Sequence, residues 1–545
     1  MRHAIAVLAL LVAGCATPPL TTPSQSSAPE APASSNPETP GPSDADLETA
    51  DIAVLSARMR DGSLTSRALT QAYLDRIERL DRTGPQLNSV LALNPDALRD
   101  AQQRDAERAA GGALGPLHGI PILLKDNIDA VPMATTAGSL ALASNRPARD
   151  AFLVQRLRAA GAVILGKTNL SEWANFRSTN SISGWSGMAG QTRNAHVLDR
   201  NPCGSSSGSG VAASAALAAA TVGTETDGSI ICPAAVSGVV GLKPTVGLVS
   251  RSGIVPISPT QDTAGPMARS VADAALLLDA MVGIDAADPQ SAASADRTTG
   301  SYADALRGDG LRGARIGLLR KSMGFHVGVD AHMERAVTAL RAAGADVVDV
   351  EIATAGTWGA SEFTVLLAEF RPSLEAYLAG SNAPVRTLPQ LIDFNRANAA
   401  AEMPYFGQEL FDQAMKAKPL ASRDYTQAKA RARRLAGPDG IDATLRKHRL
   451  DALLAPATSP AWRIDSVLGD HFVGAGYGAA AVAGYPSITV PMGDVRGLPV
   501  GLVFMGKAFS EKRLIAIAHG YEQATRARKP PRFLPTIDAL EPRVR

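Results

Sequence analysis

The chain has 545 residues, of which 45% are hydrophobic, so it can bury a large apolar core. Its 54 basic and 52 acidic side chains give a formal net charge of only +2, which argues against nucleic acid or a strongly charged partner. This length suits a large α/β enzyme with one continuous sheet.

The first 14 residues have the pattern of a lipoprotein signal peptide. A short basic start precedes an apolar run at 4–13 that is too short to span a bilayer, and VAGC at 12–15 resembles the lipobox of bacterial lipoproteins. We expect cleavage before Cys15 and lipid on Cys15; a plain secretory signal is the alternative. The predicted location is therefore the bacterial cell envelope, periplasmic or outer membrane, with secretion as the alternative.

Residues 15–45 are predicted to form a tether. They are dominated by Pro, Ser, Thr, Ala and Glu, a composition that cannot build a core and is typical of a flexible, partly extended segment. The folded domain is then expected to occupy residues 46–545.

Helical and strand patterns alternate from residue 50 onward, as in an α/β fold. Residues 66–80 place apolar side chains on one helical face, and Thr65 is available as the N-cap. Apolar runs at 117–124 and 161–165 predict buried strands. The other predicted helices in this half are 50–59, 96–110 and 150–160, and the other predicted strand is 90–93.

Two loops rich in glycine and serine lie within residues 201–244, separated by an alanine-rich segment that we interpret as one packed helix. The first loop is at 204–208, and the second contains Asp227, Gly228 and Ser229. Glycine allows close backbone approach and positive φ, and the first N–H groups of a helix have no intrahelical acceptor. Both loops therefore suit an oxyanion or a phosphate.

GSSSG at 204–208 matches the G-x-S-x-G elbow of α/β-hydrolases, with Ser206 as nucleophile. That elbow needs an apolar strand before the serine, whereas residues 194–203 are mostly polar and include a proline. A P-loop needs a lysine followed by Ser or Thr, and Gly210 is followed by Val211. The elbow is therefore weakly supported and the P-loop is excluded.

Lys125, at the end of the predicted strand 117–124, offers a base for these serines. A lysine held among apolar groups has its charged form disfavoured, so its pKa falls and it can accept a proton from a hydroxyl. Serine catalysis with a lysine base is an attested arrangement. Lys167, just past the second strand, is expected to be a solvated loop lysine, with a functional role as the alternative.

Cys203 and Cys232 lie one in each Gly-Ser loop, where a disulfide and two buried thiols are both compatible with the sequence. The aromatic residues Trp173, Phe176 and Trp185 precede the first loop. They are expected to form either core or the wall of a binding pocket.

The α/β alternation continues to residue 525. Residues 360–435 are helical in pattern and interrupted by prolines, which predicts a helical insertion over a catalytic core at about 115–285. No metal-ligand spacing, cofactor motif or feature that implies an oligomer is present. Residues 239–242 and 254–257 are short apolar segments. The predicted strands are 315–319, 346–352, 450–454, 487–490 and 500–505, and the predicted helices are 270–281, 330–343 and 511–525.

Four motifs resemble those of the amidase signature family: GIPxxxKD at 119–126, GSS at 204–206, GTxxxGSI at 223–230 and GLKPT at 241–245. The resemblance implies a single large α/β domain in which helices cover both faces of a central mixed, twisted β-sheet. It also implies hydrolysis of carboxamides with neither a metal nor a cofactor.

The same resemblance assigns roles to residues. It implies that Ser229 is the nucleophile, that Ser205 is a bridging serine after a cis peptide bond, and that Lys125 is the base. We expect Ser205 to relay a proton from Ser229 to neutral Lys125 as an acyl-enzyme forms. The oxyanion and substrate are expected to contact the loop residues Thr226, Asp227, Gly228 and Ser206, together with the N–H of Ser229.

Within the family, SEWANFRST at 171–179 resembles the bacterial peptide amidases, which implies removal of C-terminal peptide amides. Glu225, Asp227, Ile231 and Ser207 depart from the general family pattern, and the arginine missing at 231 counts against an amidotransferase subunit. The expected substrate is a small-molecule or peptide amide. The alternatives are a general aliphatic or aryl amidase, an α/β-hydrolase-type esterase and an amidotransferase subunit.

Overall fold

An eleven-stranded mixed β-sheet forms the centre of the computed structural model, which describes residues 41–112, 114–295, 297 and 300–537. The predicted signal peptide, Cys15 and most of the tether lie outside the described residues. The strands, of which β4 and β5 form a separate ribbon, are β1 Val90–Leu93, β2 Pro121–Lys125, β3 Val163–Thr168, β4 Trp185–Ser186, β5 Gly190–Gln191, β6 Ala220–Glu225, β7 Val240–Lys243, β8 Thr263–Ala268, β9 Arg315–Leu319, β10 Asp346–Val350, β11 Ala452–Pro456, β12 Ser487–Val495 and β13 Leu498–Met505.

The strand order is β1-β3-β2-β6-β8-β7-β12-β13-β11-β9-β10. Strands β3, β2 and β6 are parallel to one another, as are β11, β9 and β10. The strands between β6 and β11 pair in antiparallel fashion. The sheet is therefore mixed, as expected.

Helices flank this sheet and complete a single α/β domain. None of the helices in the described residues is both long and apolar enough to cross a bilayer. Helix α1 begins within the last two residues of the predicted tether. The helices are α1 Asp44–Thr49, α2 Ile52–Arg60, α3 Ser66–Ile77, α4 Ala97–Ala109, α5 Phe152–Ala159, α6 Ser207–Ser214, α7 Ile231–Val236, α8 Val271–Met281, α9 Val327–Ala342, α10 Gly359–Ala379, α11 Leu388–Ala397, α12 Ala399–Glu402, α13 Glu409–Lys416, α14 Arg423–Ala436, α15 Ala443–His448, α16 Gly478–Ala483 and α17 Glu511–Thr525.

The pairing of β2 with β6 positions the candidate site. Every residue of both strands is buried, because helices cover both faces of this part of the sheet. Leu124 pairs with Val222 in a parallel register. The carboxyl ends of the two strands therefore lie at the same edge, which brings Lys125 beside Thr224.

The prediction of one helix between the two Gly-Ser loops is wrong. Helix α6 ends at Ser214, and the alanine-rich sequence then enters β6, which starts at Ala220. Only Ala220 of the alanine-rich sequence belongs to β6; Thr221, Val222 and Thr224 are β-branched and favour the strand. Strand β8 was not predicted, since Gly265 and Pro266 both disfavour a central strand.

The prediction for Lys167 is also wrong. Strand β3 continues through Thr168, so Lys167 lies inside the sheet rather than in a solvated loop. Its Nζ donates to Oδ1 of Asp126 at 2.8 Å, and both side chains are fully buried. The charge is therefore paired within the core.

Helices α10 to α14 occupy the predicted insertion. Their packing includes the stacked rings of Phe370 and Phe411, with centroids 5.3 Å apart, and Trp173 packs edge-on against Phe411. Leu366 of α10 lines the same cavity as Ser229. The insertion thus contributes one wall of the candidate site.

Candidate active site

Lys125 is fully buried at the end of β2. Its Nζ lies 2.7 Å from Oγ of Ser205, 2.9 Å from Oγ1 of Thr224 and 3.2 Å from the carbonyl oxygen of Thr224. Nδ2 of Asn127 donates to the same Oγ1 at 2.9 Å. The predicted base and the predicted bridging serine are therefore in direct contact.

Burial lowers the pKa of Lys125 from 10.5 to about 7, because an apolar environment disfavours the ammonium form. The carboxylates of Glu225 and Asp262 act in the opposite direction and favour the charged form. Near neutral pH a large share of molecules therefore carries an uncharged amine at this position.

The peptide bond between Gly204 and Ser205 is cis, as the family resemblance implies, and Ser205 is fully buried. Oγ of Ser206 donates to the carbonyl oxygen of Thr224 at 2.9 Å and accepts from its N–H at 3.1 Å. Because both sides of the Ser206 hydroxyl are engaged with β6, it is not free to attack a substrate.

The two serine loops lie side by side. The N–H of Ser206 donates to the carbonyl oxygen of Ser229 at 3.1 Å. Ser229 is only 8% exposed, and its hydroxyl has no hydrogen-bond partner among the described residues. Lys125 therefore contacts Ser205 directly, whereas the Ser229 hydroxyl faces a cavity.

The loop that carries Ser229 presents a row of unpaired backbone donors. The N–H groups of residues 226–229 have no acceptor in the part of the chain that the structure describes. Gly228 has φ +79°, and a Cβ there would lie 2.4 Å from the ring of Tyr477. This arrangement suits an oxyanion beside the Ser229 hydroxyl.

Two carboxylates to which sequence analysis gave no role hold this loop. Oε2 of Glu225 accepts from the N–H groups of Ile230 and Ile231 at 2.7 and 3.0 Å. Asp262 accepts from Oγ1 of Thr226 at 2.6 Å, and burial raises its pKa to about 6. In the sequence, Glu225 stood out only because it departs from the general family pattern. No motif in the sequence indicated a role for Asp262.

Two cavities adjoin the serines. The larger, of about 500 Å³, lies against Ser205 and Thr224. The smaller, of about 280 Å³, opens at Ser229, and both cavities include Thr226 in their walls. The other residues around the smaller cavity include Phe176, Ser183, Gly204, Asp227, Leu366, Trp462, Asp470, Phe472 and Tyr477.

Asp227 brings a carboxyl group to the smaller cavity. Its carboxyl group reaches water in the cavity but is surrounded by protein, and this burial raises its pKa well above the usual value. The neighbouring carboxyl group of Glu362 raises the pKa of Asp227 further, since two like charges in contact disfavour joint ionisation. Gln261 donates to Glu362 at 3.0 Å. Within the described residues, no three His, Cys, Asp or Glu side chains are grouped to hold a metal ion.

Cys203 and Cys232 form a disulfide, with Cα atoms 6.0 Å apart. One cysteine is two residues before Ser205 and the other is three residues after Ser229. The bond therefore ties the two serine loops together, and it resolves the alternative that the sequence left open.

The aromatic residues before the first loop have two different environments. Phe176 lines the smaller cavity. Trp185 instead packs edge-on against Phe406, with ring centroids 5.4 Å apart, and Trp173 belongs to the core of the insertion. Both the pocket-wall and the core interpretations therefore apply, to different members of the set.

The family model described as Amidase matches residues 68–515. The chain belongs to the amidase signature family. The structure of native peptide amidase from Stenotrophomonas maltophilia is 59% identical, with a TM-score of 0.87, and the match covers 90% of this chain and 100% of that one. A probable amidase of Arabidopsis thaliana is 41% identical over 501 residues, or 90% of this chain and 92% of the plant protein. A glutamyl-tRNA(Gln) amidotransferase subunit from Halorhodospira halophila is 35% identical over 489 residues, or 87% and 97% of the two chains.

These similarities confirm the expected family and enzyme class for this amidase signature protein. The solved peptide amidase is matched over its full length, so the similarity extends over the whole domain and is not limited to a local motif. The expected single α/β domain with a mixed sheet is confirmed as well. The protein is therefore an amidase, a hydrolase of amide bonds.

Proposed function

We propose that this amidase signature enzyme hydrolyses the C-terminal amide of peptides through an acyl-enzyme. Ser229 is the nucleophile, Ser205 relays its proton and Lys125 is the base. The observation that carries the proposal is the 2.7 Å contact between the buried Nζ of Lys125 and Oγ of Ser205.

The neighbours of Lys125 fit an uncharged amine, which has two N–H donors and one lone pair. The carbonyl oxygen of Thr224 can only accept a hydrogen bond, and Oγ1 of Thr224 supplies a second acceptor. With both N–H groups donated to Thr224, the lone pair is directed at Ser205. Lys125 is then arranged to accept the Ser205 proton.

In the acylation step, Oγ of Ser229 forms a bond to the amide carbonyl carbon as its proton passes to Ser205 and the Ser205 proton passes to Lys125. The carbonyl oxygen becomes an oxyanion and accepts hydrogen bonds from the N–H groups of residues 226–229. The C–N bond then breaks, and the leaving nitrogen takes the proton back through Ser205 and departs as ammonia. Water attacks the acyl-enzyme by the same route and releases a carboxylic acid.

Two observations support a peptide amide as substrate. Similarity to the peptide amidase of Stenotrophomonas maltophilia extends over the whole of that chain. The cavity at Ser229 measures about 280 Å³, and since a water molecule takes about 30 Å³, it holds about nine non-hydrogen atoms. One amino-acid residue with its terminal amide has that size, and the apolar side chains of Phe176 and Leu366 suit its side chain.

Ammonia release from a panel of amides tests the substrate class. We expect a higher kcat/KM for peptide amides than for acetamide, anilides or glutamine. A higher kcat/KM for simple aliphatic or aryl amides would favour a general amidase, and a preference for glutamine would favour an amidotransferase role.

Ser229→Ala tests the nucleophile and should lower kcat by about 10⁴-fold or more. A fluorophosphonate probe should label Ser229 in the wild-type protein and label nothing in this variant. Ser183→Ala, which removes another serine of the same cavity, is the control and should retain labelling. Labelling at Ser206 would instead favour the esterase interpretation.

We also propose that the mature chain is lipid-anchored at Cys15 in the bacterial envelope. The VAGC sequence at 12–15 supports this location. The disulfide between Cys203 and Cys232 supports an oxidising compartment. Metabolic labelling with palmitate should mark the wild-type protein and not Cys15→Ala; an unlabelled wild-type protein would contradict the anchor.

A further inference from the structure

Residues 467–473 present four large apolar side chains to solvent. The exposed fractions are 86% for Val467, 71% for Leu468, 46% for Phe472 and 59% for Val473. No other seven-residue stretch of the described chain contains two exposed large apolar side chains. Clustered exposed apolar groups mark an interaction site, whereas single ones need no explanation. We call these four residues the apolar strip.

Asp465 holds the backbone below the strip. Its Oδ1 accepts hydrogen bonds from the N–H groups of Val467 and Leu468, both at 2.9 Å. The N–H of Gly469 donates to the Asp465 carbonyl oxygen at 3.1 Å, and φ of +76° at Gly469 turns the chain. The exposure of Val467 and Leu468 is therefore fixed by a hydrogen-bonded turn.

Asp470 anchors the same loop to the active-site wall. Its carboxylate accepts from Nε1 of Trp462 at 3.1 Å, from Nδ2 of Asn201 at 3.0 Å and from the N–H of Ser183 at 3.1 Å. Asn201 belongs to the segment that leads into Ser205. The position of the strip is thereby coupled to the first serine loop.

The strip continues into the cavity at Ser229. Phe472 lines that cavity together with Trp462, and the two rings meet edge to face with centroids 6.0 Å apart. Because Phe472 is also 46% exposed, it belongs to both the cavity wall and the solvent-facing surface. One loop therefore extends apolar surface from the reacting serine to the outside of the molecule.

We propose that the apolar strip binds apolar side chains two to four residues upstream of the C-terminal amide of a peptide substrate. This inference rests on the function proposed above. The cavity holds about nine non-hydrogen atoms, enough for the terminal residue and its amide. Each further residue adds 3.3–3.6 Å of extended chain, so the upstream residues have to lie outside the cavity along its rim. Phe472 places one member of the strip at that rim, and the other three members lie within five residues of Phe472 on the same loop.

Because the strip is continuous with the cavity at Ser229, the ligand that it binds is expected to be the peptide substrate itself. A peptide whose terminal amide is at Ser229 passes Phe472 on leaving the cavity, and its next apolar side chains meet Val473, Val467 and Leu468. Burial of one leucine side chain on such a surface is expected to raise kcat/KM by about ten-fold.

Three acylated amides with the same C-terminal residue test the inference. Acetyl-Leu-Leu-Ala-amide and acetyl-Ser-Ser-Ala-amide differ only upstream, and acetyl-Ala-amide is too short to reach the strip. The double variant Val467→Ser/Leu468→Ser keeps the backbone N–H groups that Asp465 binds. It should lose about ten-fold in kcat/KM on the leucine peptide and remain unchanged on acetyl-Ala-amide.

A matched control replaces two exposed apolar side chains that do not line the cavity. Val54 and Ile284 are 47% and 56% exposed, and Val54→Ser/Ile284→Ser should leave kcat/KM unchanged on all three amides. Thermal unfolding of both double variants checks that they fold.

Equal wild-type kcat/KM on the leucine and serine peptides overturns the inference and leaves the proposed function standing. Failure of the wild-type enzyme to release ammonia from any peptide amide overturns both. If Val467→Ser/Leu468→Ser abolishes binding to phosphatidylglycerol vesicles, or dissociates a dimer, without changing peptide selectivity, the strip is a membrane or self-association surface and the inference is overturned.

Discussion

Glu225 accepts a hydrogen bond from the backbone N–H of Ile230 at 2.7 Å, immediately after Ser229 in the chain. The same carboxylate raises the pKa of Lys125, against the larger effect of burial. One side chain thus holds the Ser229 loop and also affects the protonation of Lys125. Glu225→Gln separates the two effects, because it keeps an acceptor oxygen and removes the charge.

Glu225→Gln should move the acid limb of kcat/KM to lower pH. The reactive lysine is the uncharged form, so activity falls as pH drops through the Lys125 pKa of about 7. Removal of a negative charge lowers that pKa further, which extends activity into more acidic solution. Glu511→Gln, which removes a buried carboxylate that faces Lys243, is the control and should leave the limb in place. An unmoved limb in Glu225→Gln would contradict the electrostatic role.

Lys125→Met should lower kcat/KM by about 10²–10⁴-fold, the usual contribution of a general base. The residual activity should no longer fall between pH 8 and pH 6, because the titrating amine is gone. A pH–rate profile of the variant measures this. An acid limb that persists near pH 7 would assign the titration to another group.

Gly228→Ala should strongly impair catalysis. The position has φ +79°, and the new Cβ would lie 2.4 Å from the Tyr477 ring, so the loop that holds the unpaired N–H groups has to shift. Loss of an aligned oxyanion donor lowers kcat by about 10²–10³-fold. Gly62→Ala is the control. Gly62 also has a positive φ, of +81°, but no atom lies near the added Cβ, so this variant has the same backbone strain without the clash and should keep its kcat. Full activity in Gly228→Ala would argue against this loop as the oxyanion site.

Removal of the disulfide should destabilise the protein. The two cysteines are separated by 29 residues, and the loop-entropy model gives about 3–4 kcal/mol for a closed loop of about 30 residues. We expect Cys203→Ser/Cys232→Ser to lose a comparable free energy of unfolding in urea and to show lower activity, because the two serine loops are no longer tied. Unchanged stability and activity would show that the bond has no structural role.

Lys167→Met should lower the free energy of unfolding by about 3–5 kcal/mol, because it leaves the buried Asp126 carboxylate without its counter-charge. Lys321→Met breaks an ion pair with Glu351 in which Lys321 is 77% exposed, and should cost less than about 1 kcal/mol. Denaturant titration of both variants compares the two environments. Equal effects would contradict the buried pairing.

Elements with a strong local pattern were predictable from the sequence. The strand Val90–Leu93, the strand Arg315–Leu319 and the helix Glu511–Thr525 have the predicted bounds. The two strands are short apolar runs and the helix has one apolar face, and each is bounded by turn or polar residues, so no distant contact is needed to define it. The contact between Lys125 and Ser205 was expected from the resemblance of their motifs to those of the family. The distance between the two residues along the sequence does not by itself predict that contact.

Features set by tertiary contacts were missed for a common reason. Strand β6 directly follows an alanine-rich helical pattern that hides where the helix ends, and strand β8 contains a proline that disfavours a central strand, so the sequence alone does not locate either one. Asp126 and Lys167 are 41 residues apart and meet only after β2 and β3 pair. The role of Asp262 likewise depends on a contact with Thr226, 36 residues away.

The burial of Lys125 also has a practical consequence for chemical coupling. Its depressed pKa favours the nucleophilic free amine, yet none of its side chain is accessible to a bulky electrophile. Lys321 and Lys529, which are 77% and 71% exposed, are open to such reagents. Immobilisation on an amine-reactive resin should therefore proceed through these outer lysines and leave the hydrolytic machinery intact.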